Sequence, residues 1–272
     1  MIRANYHTHS TFCDGANTPE EMVERAIELG FVALGFSGHM DPEVSMDWAA
    51  YSAEVERLKS AYAGRLDILL GAELDNCHDP STCADAEYLI GSTHYIPVDG
   101  KLVCVDDTPE RLARECEEHF GGDYYALARA YYDFEARVVE RTACTFVGHF
   151  DLVTCFNDRE HFIDEDDPRY LGSALACVEY LASLGVPLEI NTGALAKGRK
   201  AEPYPNKRLL SALHDCGGQI VISSDAHSAR LLDACFDRAV AAAVECGFTH
   251  ANVLAHDEFG QVGFVQVALD EA

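Results

Sequence analysis

His7 and His9 stand two positions apart in the stretch Tyr6-His7-Thr8-His9-Ser10-Thr11-Phe12-Cys13-Asp14-Gly15. On an extended strand, side chains at i and i+2 leave from one face, so both imidazoles are presented together. Asp14 follows where Gly15 marks a turn. Imidazole mixed with carboxylate suits Zn, Mn or Fe better than an all-oxygen calcium shell. Alone, such a pair is equally compatible with polar residues at a strand end. The rest of the chain repeats the arrangement. Ser37-Gly38-His39, Gly71-Ala72-Glu73, Gly91-Ser92-Thr93-His94 and Gly148-His149-Phe150-Asp151 each end a short apolar run. So do Glu189-Ile190-Asn191-Thr192-Gly193 and Ser223-Ser224-Asp225-Ala226-His227. Six of the twelve histidines fall at these ends. His78, His119, His161, His214, His250 and His256 are read as surface or structural. Burying six imidazoles with Asp14, Glu73 and Asp225 is costly without metal, because it strands polar groups and crowds like charges.

The elements that must position these residues alternate. Apolar, β-branched runs predict strands at 3–9, 31–39, 66–74, 86–94, 144–150, 187–192 and 219–227. Amphipathic stretches predict helices at 19–29, 48–62, 123–141, 168–184, 206–216 and 229–246. Thr18 is the N-cap of the first, Pro19 its first residue and Gly30 its stop. Thr108-Pro109-Glu110 caps a further helix inside an insertion at 98–122, and residues 251–269 form a closing hairpin or edge strand. Seven βα units predict an α/β fold whose parallel sheet curls into a barrel. In such barrels the chemistry sits at the strand C-termini, where these residues fall.

At 272 residues and 48% hydrophobic, one domain over 1–272 is the economical expectation. No apolar window is long enough to span a bilayer, and no secretory signal precedes the first strand, so a cytoplasmic protein is expected. Eleven scattered cysteines without a CxxC pair read as reduced thiols, and Cys13 is given no ligand role. A net charge of -26 excludes nonspecific nucleic-acid binding and attraction to an anionic membrane. An anionic substrate must then be drawn by a local cationic site.

HTHSTFCDG, GFSGH, GAE, GSTHYI, GHFDLV, EINTGA, PYPN and SSDAH occur in that order. Through them the chain resembles the PHP (polymerase and histidinol phosphatase) superfamily, and within it the monofunctional metal-dependent histidinol-phosphatases. The resemblance implies a distorted seven-stranded (β/α)7, TIM-like barrel holding three divalent ions: Zn, Mn or Fe. By motif, the first ion takes His7, His9, Glu73 and Asp225. The second shares Glu73 and adds His94 and His149, and the third takes Asp14, His39 and His227. Some members carry histidine where this chain has Asp14. The implied reaction is hydrolysis of L-histidinol phosphate in histidine biosynthesis, by in-line attack of a metal-bridging hydroxide. Glu73, Asp225 and His227 are the catalytic candidates, with Asp225 or a metal-bound water protonating the leaving alcohol.

The only basic cluster surrounds Lys197, Arg199 and Lys200, with lysines where arginine is expected. Arg199, Lys197 and Arg159 are the candidates for gripping phosphate; each is otherwise a solvated surface charge. Asp106 and Asp107, in the insertion, are candidates for meeting the ammonium of the substrate, or else cap the helix at Pro109. The expected partner is a small phosphomonoester, and no nucleic acid or membrane. Alternatives are another small phosphate, such as a nucleotide or sugar phosphate, and a noncatalytic metal-binding module. A nuclease is disfavoured because no basic, aromatic strand channel is present.

Overall fold

The computed structural model describes residues 2–269. Its strands are β1 (Ala4–Asn5), β2 (Ala33–Phe36), β3 (His39–Met40), β4 (Asp67–Asp75), β5 (Tyr88–Ser92) and β6 (Tyr95–Val98). These continue as β7 (Lys101–Cys104), β8 (Phe146–Val147), β9 (Leu188–Asn191), β10 (Ile220–Ser223), β11 (His250–His256) and β12 (Val262–Ala268). One sheet runs β1-β2-β4-β5-β8-β9-β10-β11-β12, with β3 also on β4. Neighbours from β1 to β11 are parallel, and β12 returns antiparallel to β11. Beyond β1 and β10 the curled sheet meets itself. Thr8 bridges Ala226, with His9 N donating to Ala226 O at 2.9 Å and Ala226 N to His7 O at 3.0 Å.

The seven strands expected from the sequence correspond to β1, β2, β4, β5, β8, β9 and β10. The path nevertheless holds nine strands, because β11 continues the parallel run and β12 closes it. Alternate residues of each strand face opposite cores, as the pleat requires. Inside the curl pack Ala4, Tyr6, Ala33, Leu69, Tyr88, Ile90, Phe146, Val221 and Leu254. Leu34, Ile68 and Leu70 face the helices instead. Tyr88 fills the centre, donating from its hydroxyl to the carbonyls of Tyr6 at 2.6 Å and Phe36 at 3.0 Å. Gly35 and Gly71 make room, since a Cβ at either would overlap the Tyr88 side chain.

Helix Pro19–Glu28 starts as expected, and Glu21 completes a capping box with Thr18. Two long helices are shorter than the periodicity suggests. Residues 123–141 divide into Tyr124–Glu135 and Val138–Thr142. Asn76 Nδ2 takes the Phe134 carbonyl at 2.9 Å, the acceptor that helix continuation would use. The expected 229–246 helix begins only at Phe236, after the 3-10 turn Ala229–Leu231. Side chains of Asn5 and Ser224 hold the Leu232 carbonyl, Thr192 holds that of Ala234, and Cys235 turns left-handed at φ 61°. The insertion contains a hairpin, β6–β7, turned by Asp99-Gly100 with positive φ at both residues. All eleven cysteines are free thiols. Among the described residues, no helix is long and apolar enough to cross a membrane.

His256 ties β11 to the strands opposite, with Nδ1 2.6 Å from Asp67 Oδ1 and Nε2 2.9 Å from Glu87 Oε1. Lys59 meets the other Glu87 oxygen at 2.7 Å. Burial opposes a charged ring, but the hydrogen bonds to Glu87 and Asp67 outweigh it and raise the pKa above the ordinary 6.5. A raised folded value means the clamp stabilises fully below the unfolded pKa and fades as pH climbs through the folded one. His256→Ala is therefore expected to cost about 1 kcal/mol near pH 6 and less near pH 9. Urea denaturation of both proteins at the two pH values checks this; a gap that widens with pH contradicts it.

Candidate metal centre

One bridge positions four of the nine expected ligands: His7 and His9 flank Thr8, while Asp225 and His227 flank its partner Ala226. Period-2 geometry turns all four toward the same end of the sheet. The parallel register of β3 on β4 sets His39 opposite Glu73. His94 and His149 each stand two residues beyond their strands, β5 and β8. Asp14 returns on the turn at Gly15, where a Cβ would lie 2.5 Å from the His9 backbone.

The structure brings all nine together. Glu73 is their centre, 1% exposed. Its Oε2 lies 3.3 Å from His7 Nε2, 3.5 Å from His9 Nε2 and 2.9 Å from His39 Nδ1. Its Oε1 lies 3.3 Å from His94 Nε2 and 2.7 Å from His149 Nε2, and accepts from Ser92 Oγ at 2.8 Å. Asp225 Oδ1 stands 3.2 Å from His9 Nε2 and 3.2 Å from His227 Nδ1. Asp14 reaches His227 Nε2 at 3.1 Å, and His9 and His39 at 3.7 Å each. Asp225 holds a left-handed φ of 48°, strained for a non-glycine residue.

The donor set fits metal. His7 Nε2, His9 Nε2, His39 Nδ1 and Glu73 Oε2 are buried, converge, and make no hydrogen bond. Buried polar atoms are normally satisfied, so such a concentration of orphans points to an ion. Ligand-capable atoms within 4.8 Å form four overlapping groups: His9-Asp14-His39-His227, His7-Glu73-His149, His7-His9-Asp225 and His39-Asp41-His94. Burial would push the Glu73 carboxyl up, but the charges of His7, His39 and His94 hold it well below the usual range. Burial likewise opposes Asp225, which Lys197, His7 and His227 keep ionised. Burial and the neighbouring His227 and His39 push His9 down to about 3, leaving it a neutral donor of a lone pair.

Three acids behind the histidines escaped the sequence reading. Glu189 accepts from His7 Nδ1 at 2.8 Å, His149 N at 2.7 Å and Asn191 Nδ2 at 2.9 Å. Asp75 takes the His94 backbone N–H at 2.8 Å, and Asp41 lies 3.6 Å from His39 Nδ1. The available signal for Glu189 was a lone acid inside an apolar strand; for Asp41 and Asp75, an acid two residues from His39 and Glu73.

Beside the cluster lies a cavity of about 270 Å³, to which Asp106, Lys197, Arg199 and Tyr204 add their side chains. Lys197 Nζ is 3.3 Å from His227 Nδ1. Arg159 does not line the cavity; its Nη2 donates to the Gly198 carbonyl at 3.3 Å on the loop's outer side. Lys200 is buried against Thr154, Glu165 and Asp158, and serves the loop rather than the cavity. Asp107 points to Arg111 at 3.4 Å. A larger cavity, about 600 Å³, opens between β1, β2, β11 and β12, but Asp67 is the one carboxylate in its lining. Glu189→Ala strands the buried donors of His7 and His149, so metal-stripped protein is expected to lose about 1–3 kcal/mol in chemical denaturation. An unchanged midpoint contradicts the role given to Glu189.

The PHP domain family model matches residues 5–193, well over half of the chain. A probable histidinol-phosphatase from Deinococcus radiodurans is 32% identical, covering 81% of this chain and 85% of its own. One from Schizosaccharomyces pombe is 28% identical over 89% of this chain and 86% of its own. Among solved structures, a Listeria monocytogenes protein superposes with a TM-score of 0.75 at 21% identity, over 86% of this chain and 98% of its own. A Lactococcus lactis histidinol phosphate phosphatase, complexed with Zn, L-histidinol and phosphate, gives 0.68 at 21% identity, over 93% and 96%. At these identities the structures speak for the fold, and the sequence matches for kinship. The chain belongs to the PHP domain family, among its histidinol-phosphatases.

Proposed function

We infer that this protein is a metal-dependent phosphoric monoester hydrolase that converts L-histidinol phosphate to L-histidinol and phosphate, a step of histidine biosynthesis. The observation that carries the reading is the convergence of six imidazoles with Glu73, Asp225 and Asp14 beside a small cavity edged by Lys197 and Arg199. Its histidinol-phosphatase relatives supply the substrate. We assign three ions: His7, His9, Glu73 and Asp225 to the first; Glu73, His94 and His149 to the second; Asp14, His39 and His227 to the third. The distances support the second site, with His94 and His149 on Glu73 Oε1, and set His7 and His9 on Oε2, where His39 Nδ1 also lies, at 2.9 Å, between the first and third sites. The β1–β10 run is read as the seven-stranded PHP-type barrel, within one domain.

Divalent ions there supply Lewis acidity toward phosphoryl oxygens and lower the pKa of bound water. The chain's own groups orient and shield. Glu73, excluded from water, spans the two histidine pairs and fixes their spacing. Asp225 is kept ionised by Lys197 and His7, which suits it to hold an ion; the proton for the leaving alcohol is assigned to Asp225 or to a metal-bound water. Lys197 and Arg199 add positive charge at the mouth, and Arg199 makes no ion pair among the described residues, so it is free to meet phosphate. Arg159 is reserved for the loop.

Protein loaded with Zn or Mn is expected to hydrolyse L-histidinol phosphate with kcat/KM at least about a hundredfold above that for p-nitrophenyl phosphate. Parity between the two, in steady-state kinetics with metal content measured on the same sample, favours a different small phosphate. His7→Ala and Asp14→Ala are each expected to lose about one metal equivalent, from different sites, by elemental analysis. Loss of all metal from Asp14→Ala would sink the three-site division.

A further inference from the structure

The leaving group of the inferred reaction is an alcohol that carries a positive charge, and the cavity has a wall for it. Lys197 and Arg199 line the cavity, and so does Asp106, just beyond the β6–β7 hairpin. Several other acids near this hairpin are engaged. Arg111 is taken by Glu43 at 2.7 Å, Asp107 at 3.4 Å and Glu115 at 3.6 Å. Asp106 accepts only the Cys104 thiol, at 3.5 Å, and makes no ion pair among the described residues, though its charge is felt by His94. A second feature points at the same space. Tyr204 is 3% exposed and lines the cavity, yet its hydroxyl has no hydrogen-bond partner.

Tyr204 is held firmly. Its backbone exchanges hydrogen bonds with Asn191 at 3.0 and 2.8 Å, at the end of β9. Burial and nearby acids, Asp106 among them, raise its pKa well above the ordinary value, so the hydroxyl keeps its proton and can donate. A buried donor without an acceptor is costly, and a ligand supplying one removes the cost. Charge follows the same logic: a carboxylate without an ion pair, in a cavity that Lys197 and Arg199 also line, favours a ligand carrying a positive charge as well as its phosphate.

We propose that Asp106 and the Tyr204 hydroxyl form the subsite for the leaving alcohol, Asp106 pairing with its cationic nitrogen and Tyr204 donating to its neutral polar atom. The proposal deepens the reading of the site as a phosphomonoesterase and rests on it. It separates Asp106 from Asp107, which the sequence alone could not do.

The test uses metal-loaded protein and two classes of ester: cationic (L-histidinol phosphate, phosphoethanolamine) and uncharged in the alcohol (glycerol 2-phosphate, p-nitrophenyl phosphate). Asp106→Asn is expected to lower kcat/KM for the cationic esters at least about tenfold more than for the uncharged ones, chiefly through KM. Asp106→Glu should restore part of the difference, and metal content should not change. Tyr204→Phe should lower kcat/KM for L-histidinol phosphate more than for p-nitrophenyl phosphate. An equal loss on both classes, or loss of metal, means that Asp106 acts through the metal centre, and overturns the proposal; so does no loss at all. Wild type without a preference for L-histidinol phosphate, but with the class difference intact in Asp106→Asn, overturns the substrate reading and leaves the subsite standing.

Discussion

A carboxylate with almost no access to water, surrounded by five imidazoles, is the constraint around which the structure is built. Stripping water from Glu73 costs several kcal/mol unless charge and hydrogen bonds replace it. The replacements come from His7, His9, His39, His94 and His149, which lie on four different strand ends. No single hairpin or helix can deliver them. A curled sheet brings these strand ends onto one carboxylate, and the Thr8–Ala226 bridge carries the curl on until Asp225 and His227 join them.

The same economy repeats one layer out. His7 leans on Glu189, His94 on Asp75, and His39 lies near Asp41. Glu189 fixes the His7 ring by a hydrogen bond and Asp75 the His94 backbone before any ion arrives, which raises affinity by cutting the reorganisation that binding would otherwise require. Glu189 reaches furthest, because it holds a ring from β1 and a backbone N–H beyond β8 at once. Asn191 then links it to the next loop, with its amide on Glu189 and its carbonyl Oδ1 accepting from Gly193 N at 2.8 Å. A further buried carboxylate, Asp151, accepts from Tyr170 at 2.6 Å and from Tyr132, and so pins the segment after His149 to the helices behind it.

How much of this was legible depends on where the information lies. The βα alternation, the strand ends and the nine candidate ligands follow from local pattern, since period-2 apolar runs and terminal histidines are written into neighbouring residues. What failed to show locally was decided by distant side chains. Asn76 ends the helix at Glu135 by taking the Phe134 carbonyl, and Asn5 with Ser224 and Thr192 delays the last helix to Phe236. The tail forms the hairpin expected there; that its first strand, β11, extends the parallel sheet was hidden, because the tail reads as a hairpin whether or not that strand joins. The hairpin β6–β7 is legible only through Asp99-Gly100, because it straddles the start of the insertion. Among the basic residues, composition could not distinguish Lys200, buried under the loop, from Lys197 and Arg199 at the cavity.

Lys197 shows how an acidic protein can serve an anionic substrate. A net charge of -26 repels phosphate at long range, but screening confines that repulsion to roughly 8–10 Å at physiological salt, while the cavity acts at contact distance. There the balance is reversed by few groups. Lys197 lies 3.3 Å from His227 Nδ1 and is foremost among the charges that keep Asp225 ionised. One ammonium thus sustains a carboxylate of the metal centre and adds positive charge where phosphate enters. An arginine here would be drawn toward a fixed bidentate partner, whereas a lysine, as a compact point charge, can serve both neighbours from one position. The departure from the arginine expected in this loop is therefore tied to the geometry of Asp225 and His227, and the proposed phosphate grip and the proposed metal ligands are linked through this side chain.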